Sequence, residues 1–276
     1  MIMNGVTITP LCPEEYIKRQ EDIHYPTVEH ITYFSTTTGL ERGANVVLPA
    51  DYDTSKRYPV LYILHGIFGN EHVLLEDKDA CLTELFGNLT ADGLAKEAVI
   101  VFPHMYATSD PEQQPAFQPE AVKPYDNFIN DLVTDLIPFI ESKYSVYTDR
   151  EHRALAGFSM GGRETLFIGF SRPDLFAYLG AIAPAPGVTP AQDWAMKHEG
   201  QMKEEEMTFA GKGFEPRVLM VCCGSKDGTV GQFPFSYHSL MEKNGVAHTW
   251  YEVPDADHNG VAIRAGLYNY LQAIFR

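Results

Sequence analysis

The chain has 276 residues, of which 45% are hydrophobic, 21% charged and 12% aromatic. This is the composition of a globular protein, because a disordered chain lacks enough apolar residues to build a core. The 21 basic and 37 acidic residues give a formal net charge of −16. That balance argues against a protein that binds nucleic acid or an anionic membrane through a basic face.

Length and the N-terminus lead to further expectations. We predict a single domain over residues 1–276, since α/β domains often exceed 200 residues. No apolar run approaches the roughly 20 residues that span a bilayer. The first twenty residues lack the basic and apolar stretches of a signal peptide. We therefore expect a cytoplasmic protein, or a secreted one if a signal peptide was removed. The cysteines show no metal-ligand spacing, so no metal site is predicted and buried cysteines are expected.

Strands alternate with helices along the chain. Continuous or alternating apolar runs predict strands at residues 29–36, 43–48, 58–64, 98–102, 153–158, 178–183, 217–223 and 247–253. Helical spacing predicts helices at residues 127–144, 161–170, 231–245 and 259–275, and Pro138 is a possible kink in the first. A loop is expected at residues 104–124. This alternation predicts an α/β fold with a mostly parallel central sheet and helices on both faces.

One polar segment, residues 184–214, interrupts the alternation. It contains three consecutive glutamates, and Trp194 is its single large apolar landmark. Two interpretations are open. The segment is either a solvated helical excursion between two strands, or a cap over a site, because loops in such positions often carry specificity.

The sharpest motif is GxSxG at Gly157-Phe158-Ser159-Met160-Gly161. It lies between a predicted strand and a predicted helix, which is where a nucleophile elbow requires it. The tight turn favours small flanking residues, and the following helix directs its N-terminal amides towards the serine. The motif predicts Ser159 as a nucleophile.

A serine needs a base to remove its proton and an acid to orient that base. In hydrolases with this elbow the chain order is serine, acid, histidine. Asp227 follows the strand at 217–223, and His258 follows the last strand. Asp255 and Asp257 compete as the acid, but from the histidine's own loop they reach its far ring nitrogen less easily.

The oxyanion of an acyl-transfer intermediate needs two backbone N–H donors. Candidates are Met160, directly after the nucleophile, and Ile67, in the loop that follows His65-Gly66. His65 itself is expected to be a structural, hydrogen-bonded histidine. Gly66 and Phe68 on that loop, together with Trp194, are candidate substrate-binding residues.

With these residues in place, the chain resembles the family 1 carbohydrate esterases, an α/β-hydrolase group that includes feruloyl and acetyl xylan esterases. Within that group it is similar to the feruloyl esterase modules of bacterial cellulosomal xylanases. The resemblance is carried by residues 33–71, 125–162, 222–228 and 256–260. It implies Ser159 as nucleophile, Asp227 as acid and His258 as base. It also implies that no metal or organic cofactor is used.

The resemblance implies a serine carboxylesterase that releases feruloyl or acetyl groups from xylan or its oligosaccharides. The expected partner is therefore an ester substrate, and the oligomeric state is left open. Residues 1–30 have no counterpart and are interpreted as an N-terminal extension, while residues 104–124 and 184–214 look longer than in the family. S-formylglutathione hydrolases and enterochelin-type esterases are also similar, although the former usually carry a cysteine in the loop after His-Gly, which reads IFGNE here. An acyltransferase on the same fold is a further alternative.

Overall fold

The computed structural model describes all 276 residues. The strands are β1 (Ile2–Met3), β2 (Val6–Thr7), β3 (Thr27–Ser35), β4 (Leu40–Leu48), β5 (Val60–Leu64), β6 (Val99–Pro103), β7 (Arg153–Phe158), β8 (Tyr178–Ile182), β9 (Ala191–Gln192), β10 (Lys197–His198), β11 (Val218–Gly224) and β12 (Thr249–Val253). The helices are α1 (Val73–Glu76), α2 (Leu82–Ala91), α3 (Pro119–Asp126), α4 (Phe128–Asp131), α5 (Ile137–Lys143), α6 (Met160–Ser171), α7 (Phe233–Lys243) and α8 (Gly260–Ala273).

Eight strands form one central sheet in the order β12-β11-β8-β7-β5-β6-β4-β3. Neighbouring strands from β12 to β6 pair in parallel, whereas β4 pairs antiparallel with both β6 and β3. The inner strands β5, β6 and β11 are buried along their whole length. Runs of that kind suit a sheet covered on both faces. The predicted α/β fold with a mostly parallel central sheet is confirmed.

Two hydrophobic cores lie on opposite faces of the sheet. One packs side chains of α4 to α7 against the sheet, and the other packs α2 and α8. Three of the four cysteines are buried, as expected, and all four are free thiols. No helix has the length and apolar character needed to cross a membrane.

Several predicted elements differ from the structure. The helical interpretation of residues 184–214 is wrong, because this segment contains the short antiparallel pair β9–β10 and a single 3-10 turn at Glu204–Glu206. The expected loop at 104–124 already contains the start of α3. Helices α1 and α2 were not predicted. The helix at 127–144 forms, but with a π-helical turn at Leu132–Leu136 directly before the segment that contains Pro138.

The N-terminal residues pack against the last helix. Strands β1 and β2 form a small hairpin, and the Asn4 Nδ2 group donates to the carbonyl of Ala273 at 2.7 Å. Thr9 exchanges two hydrogen bonds with the Asn269 side chain, at 2.9 and 2.8 Å. The buried side chains of Met3 and Val6 belong to the core on the α8 face. These N-terminal residues therefore pack on the central domain. That residues 1–30 are an extension of the family's fold stays a prediction.

Candidate active site

Ser159 occupies the sharp turn between β7 and α6. Its φ of +58° lies in the left-handed region, where a non-glycine residue is strained. The Ser159 amide donates to the carbonyl of Ile182 on β8 at 2.9 Å, which fixes the turn against the sheet. A Cβ at Gly157 would overlap the backbone of Gly161, and one at Gly161 would overlap the carbonyl of Leu64. The structure thus explains both glycines of the motif by close backbone packing.

Asp227 and His258 meet beside this turn. Asp227 follows β11, His258 follows β12, and the His258 Nδ1 atom lies 2.7 Å from Asp227 Oδ2. The other carboxylate oxygen of Asp227 accepts the amide N–H groups of Thr229 and Val230, at 3.0 and 3.1 Å. The Asp227 side chain is only 1% exposed and that of His258 13%. The carboxylate is therefore held rigidly, and the imidazole keeps its Nε2 atom for another partner.

The two competing aspartates make different contacts. Asp255 forms an exposed ion pair with Lys226 at 2.7 Å. Asp257 accepts the backbone N–H of His258 at 2.8 Å. Of the three candidate acids, Asp227 is the one hydrogen-bonded to the His258 ring.

The two predicted oxyanion donors lie together with Ser159. Gly66, Ile67, Ser159, Met160 and His258 all line one cleft of about 190 Å³. The backbone N–H of Met160 belongs to the first turn of α6, whose N–H groups have no partner within the helix. The Ile67 N–H has no hydrogen-bond partner within the protein. A Cβ at Gly66 would stand only 3.4 Å from the Ser159 Cβ, so the glycine keeps the approach to the serine open.

One wall of the cleft comes from the β9–β10 hairpin, which contributes Asp193, Trp194, Met196 and His198. The Asp193 Oδ1 atom accepts the amides of Ala195 and Met196, and its Oδ2 atom lies 2.9 Å from His198 Nε2. Burial opposes the charge on Asp193, yet the hydrogen bonds from His198 and the backbone lower its pKa. The Asp193 carboxylate thus holds the turn of the hairpin through three hydrogen bonds. That residues 184–214 act as a cap stays a prediction, and sequence reasoning missed His198 as a residue of the cleft.

An aromatic series lies at the rim of the cleft. Phe117 packs edge-on against Phe68 and Trp194, with ring centroids 5.1 and 5.2 Å apart. Phe68 is 55% exposed and Trp194 74%. Phe117 and Trp194 line the cleft itself, whereas Phe68 lines a separate cavity and contacts the cleft wall through Phe117. Phe117 was missed because its loop has no periodicity that would single out one aromatic residue.

A buried polar cluster lies behind the cleft. Arg163 in α6 contacts the carboxylates of Asp126 and Glu164, both at 2.7 Å. Gln201 Nε2 donates to Glu164 at 2.9 Å and to Asp126 at 3.1 Å. Burial raises the pKa of Glu164, while the Arg163 charge opposes the rise. Because Asp126 ends α3 and Gln201 follows the hairpin, this Arg163 cluster connects α3 and the hairpin wall of the cleft to the helix that begins after Ser159.

His65 is buried beneath the loop that carries Ile67. Its Nδ1 atom lies 2.7 Å from the Gly66 carbonyl, and its Nε2 atom accepts the amide of Met105 at 3.0 Å. Burial lowers the pKa of His65 to about 3. A neutral imidazole that donates through Nδ1 satisfies both contacts, which agrees with the structural role expected for this residue.

Comparison with known proteins places these features in a family. Residues 35–227, more than half of the chain, match the esterase family model described as "Putative esterase". The chain is 46% identical to a CE1 ferulic acid esterase from Anaeromyces mucronatus solved in complex with ferulic acid, with a TM-score of 0.93 and 98% of each chain covered.

More distant proteins share parts of the chain or the fold. An endo-1,4-beta-xylanase/feruloyl esterase of Xylanibacter ruminicola is 32% identical over 65% of this chain, which spans 24% of that relative's length. Endo-1,4-beta-xylanase Y of Acetivibrio thermocellus is 27% identical over 64% of this chain and 17% of its own length. An S-formylglutathione hydrolase from Staphylococcus aureus shares the fold, with a TM-score of 0.63 and 16% identity over 88% of this chain and 96% of its own. The chain belongs to the CE1 ferulic acid esterases, a family of carboxylic ester hydrolases with the α/β-hydrolase fold.

Proposed function

We propose that this protein is a feruloyl esterase that hydrolyses the ester between ferulic acid and a sugar hydroxyl of xylan or its oligosaccharides. The observation that carries the proposal is the apolar, aromatic-walled cleft at Ser159, in a chain 46% identical to an enzyme whose structure holds ferulic acid. The substrate is therefore inferred from the chemistry of the cleft and from the relative.

The lining of the cleft suits an aromatic acyl group. Ile67, Phe117, Phe158, Trp194 and Met196 provide apolar surface for a planar ring and its propenoyl arm. The carboxylate of Asp193 keeps lone pairs that can accept a phenolic O–H group. An acetyl group would leave most of this surface unfilled, which favours feruloyl over acetyl esters.

The proposed reaction begins with attack by the Ser159 hydroxyl oxygen on the ester carbonyl. His258 Nε2 removes the serine proton, and Asp227 stabilises the resulting imidazolium through the Nδ1 hydrogen bond. The oxyanion accepts the N–H groups of Ile67 and Met160, a contact that typically contributes about 3 kcal/mol per donor. Collapse of the intermediate breaks the bond to the sugar oxygen, which leaves with the proton from His258.

A water molecule then completes the cycle. His258 removes a proton from this water, and the hydroxide attacks the carbonyl of the feruloyl–Ser159 ester. Collapse of the second intermediate releases ferulic acid and returns the proton to the serine oxygen. Both halves use the same base and the same oxyanion donors, so one arrangement serves acylation and deacylation.

The leaving sugar is proposed to contact the rim of the cleft. Phe68, Phe117 and Trp194 expose aromatic faces there, and apolar ring faces pack against sugar rings. The net charge of −16 adds a mild constraint, since a neutral ester substrate meets no strong repulsion whereas a polyanionic one would.

Hydrolysis of methyl ferulate measured beside acetylated xylan tests the proposal directly. We expect release of ferulic acid with a kcat/KM well above that for acetate release. Acetate release without hydrolysis of methyl ferulate would contradict it and favour an acetyl xylan esterase. S-formylglutathione as a third substrate tests the thioesterase alternative. Product analysis with an added alcohol tests the acyltransferase, because transfer would give a new ester in place of the free acid.

A further inference from the structure

We propose that His30, Glu71 and His72 form a binding site for a divalent transition-metal ion of the Zn²⁺ class, outside the catalytic cleft. His30 belongs to β3, whereas Glu71 and His72 follow the loop that leaves β5. The potential ligand atoms of the three side chains all lie within 4.8 Å of one another. His30 and Glu71 are 41 residues apart along the chain, so the sequence shows no short ligand motif that would predict this set.

The donor spacing fits a metal ion. Glu71 Oε1 lies 3.2 Å from His30 Nε2 and 3.6 Å from His72 Nε2. Two ligands bound tetrahedrally at the usual Zn²⁺ distances stand about 3.4 Å apart. The two imidazole rings are stacked at 5.4 Å with only 14° between their planes. Because stacked rings direct their nitrogen lone pairs alongside one another, the half-exposed histidines must rotate about their side-chain bonds to converge on one ion.

The backbone makes room for this cluster. Gly43 on β4 faces it, and a Cβ there would overlap the Glu71 carboxylate and stand 3.0 Å from His30 Nε2. The Glu71 side chain is only 13% exposed, and both of its ion-pair partners are histidines. No lysine or arginine lies within 4.0 Å of this carboxylate, so a bound dication would supply the permanent positive charge that it lacks.

The ligand types select the class of ion. Two imidazoles and one carboxylate form a known Zn²⁺ ligand set with a fourth position left for water. Mg²⁺ and Ca²⁺ prefer oxygen ligands and fit this set poorly. The Asn45 amide lies 2.9 Å from His72 Nδ1 and orients the ring so that Nε2 faces Glu71. When a metal occupies Nε2, the proton moves to Nδ1, and a half-turn of the amide presents Asn45 Oδ1 to it, at the cost of the hydrogen bond that Nδ2 donates to the Glu71 carbonyl at 3.0 Å.

The position of the site suggests a structural role. Glu71 and His72 close the loop that carries Gly66, Ile67 and Phe68, and His30 belongs to the sheet. A bound ion would tie this loop to β3 and stabilise the folded state. The proposal is independent of the ester substrate, because none of the three ligands lines the cleft.

Calorimetric titration of the chelator-treated protein with ZnCl₂ tests the site, with MgCl₂ as the comparison ion. We expect one Zn²⁺ per chain, a higher thermal midpoint with Zn²⁺, and no response to Mg²⁺. His30→Ala and His72→Ala should each weaken Zn²⁺ binding by about tenfold or more. Titration with Co²⁺ should give the visible absorption of a tetrahedral site, which both variants should lose.

Two control variants separate this site from other ligands. His152 pairs with Asp149 at 2.9 Å without a third donor, so His152→Ala should bind Zn²⁺ like the unmodified protein. Cys81 is the least buried thiol, and Cys81→Ser should do the same. The proposal is wrong if the unmodified protein does not bind Zn²⁺. It is also wrong if a His30→Ala/His72→Ala double variant binds Zn²⁺ with unchanged stoichiometry and affinity.

Discussion

The Oδ2 atom of Asp227 lies 2.7 Å from the Nδ1 atom of His258, although 31 residues separate them along the chain. Two backbone amides hold the other oxygen of the carboxylate, so its direction is set before any substrate binds. Because the carboxylate accepts this bond, Nδ1 donates it, and in the neutral ring Nε2 then carries no proton. This is the tautomer that a general base needs.

Asp227→Asn should therefore lower kcat for methyl ferulate by about 10⁴, because the amide favours the wrong tautomer of His258. Steady-state kinetics at neutral pH provide the measurement. Asp255→Asn is a matched control, since Asp255 pairs with Lys226 at the surface, and it should retain nearly full activity. Equal losses of kcat in the two variants would show that Asp227 is not the acid that orients His258.

Ser159→Ala should lower kcat by about 10⁶, by analogy with protease triads, while the thermal midpoint changes little. The lost hydroxyl is the proposed point of acyl attachment, and nothing else in the cleft can replace it. A fluorophosphonate label should modify the unmodified protein at Ser159 and leave the variant unlabelled. A variant that keeps more than a few per cent of the activity on p-nitrophenyl acetate would exclude this serine as the nucleophile.

Glu164→Gln should alter acyl selectivity through the Arg163 cluster. The amide weakens the contacts to Arg163 and Gln201, which anchor the hairpin wall to α6. We expect KM for methyl ferulate to rise about tenfold, equivalent to 1.4 kcal/mol. The kcat/KM for p-nitrophenyl acetate should change much less, because an acetyl group does not reach these walls.

The matched control for that variant is Glu141→Gln. The buried Arg153 pairs with the partly buried carboxylate of Glu141, and neither residue lines the cleft. Both substitutions should cost some stability, but Glu141→Gln should leave the ratio of the two substrates unchanged. Parallel losses on both substrates in Glu164→Gln would mean that the cluster serves only stability.

His65 should make the stability of the fold depend on pH. Its pKa is lowered by burial from 6.5 to about 3, so the unfolded chain binds a proton where the folded chain does not. The contribution of neutral His65 to the free energy of unfolding is present above pH 6.5 and is lost as the pH falls towards 3. Between pH 7 and 5 the loss is about 2 kcal/mol.

Chemical denaturation of the unmodified protein and of His65→Gln at both pH values measures this share. The variant should be less stable at pH 7 but should lose about 2 kcal/mol less on acidification. His152→Gln, at an exposed surface pair, should keep the slope of the unmodified protein. An unchanged slope in His65→Gln would show that another group causes the acid sensitivity.

Much of the sheet could be predicted from sequence because the inner strands β5, β6 and β11 are almost unbroken apolar runs, as in VLYIL at Val60–Leu64. The elbow could be predicted because steric demands leave few residue types at positions 157 and 161. Position along the chain then pointed to Asp227 and His258, each directly after a strand. For the strands, the elbow and these two residues, the local sequence pattern is enough to indicate the position in the fold.

The walls of the cleft could not be predicted in the same way. Strands β9 and β10 have two residues each, too few for any periodicity, and their turn depends on the side chain of Asp193. The contact between Gln201 and Glu164 joins polar residues 37 positions apart. Helix α2 carries Leu82, Leu85 and Leu89 at helical spacing, but no residue caps its N-terminus through a side chain.

The hydrogen bond from Asn4 to Ala273 brings the two ends of the chain side by side. Helix α8 begins two residues after His258 and runs for fourteen residues, so this junction lies roughly 20 Å along the helix from the candidate site. Because residues 4 and 273 are in direct contact, a short linker between them would permit circular permutation of the fold.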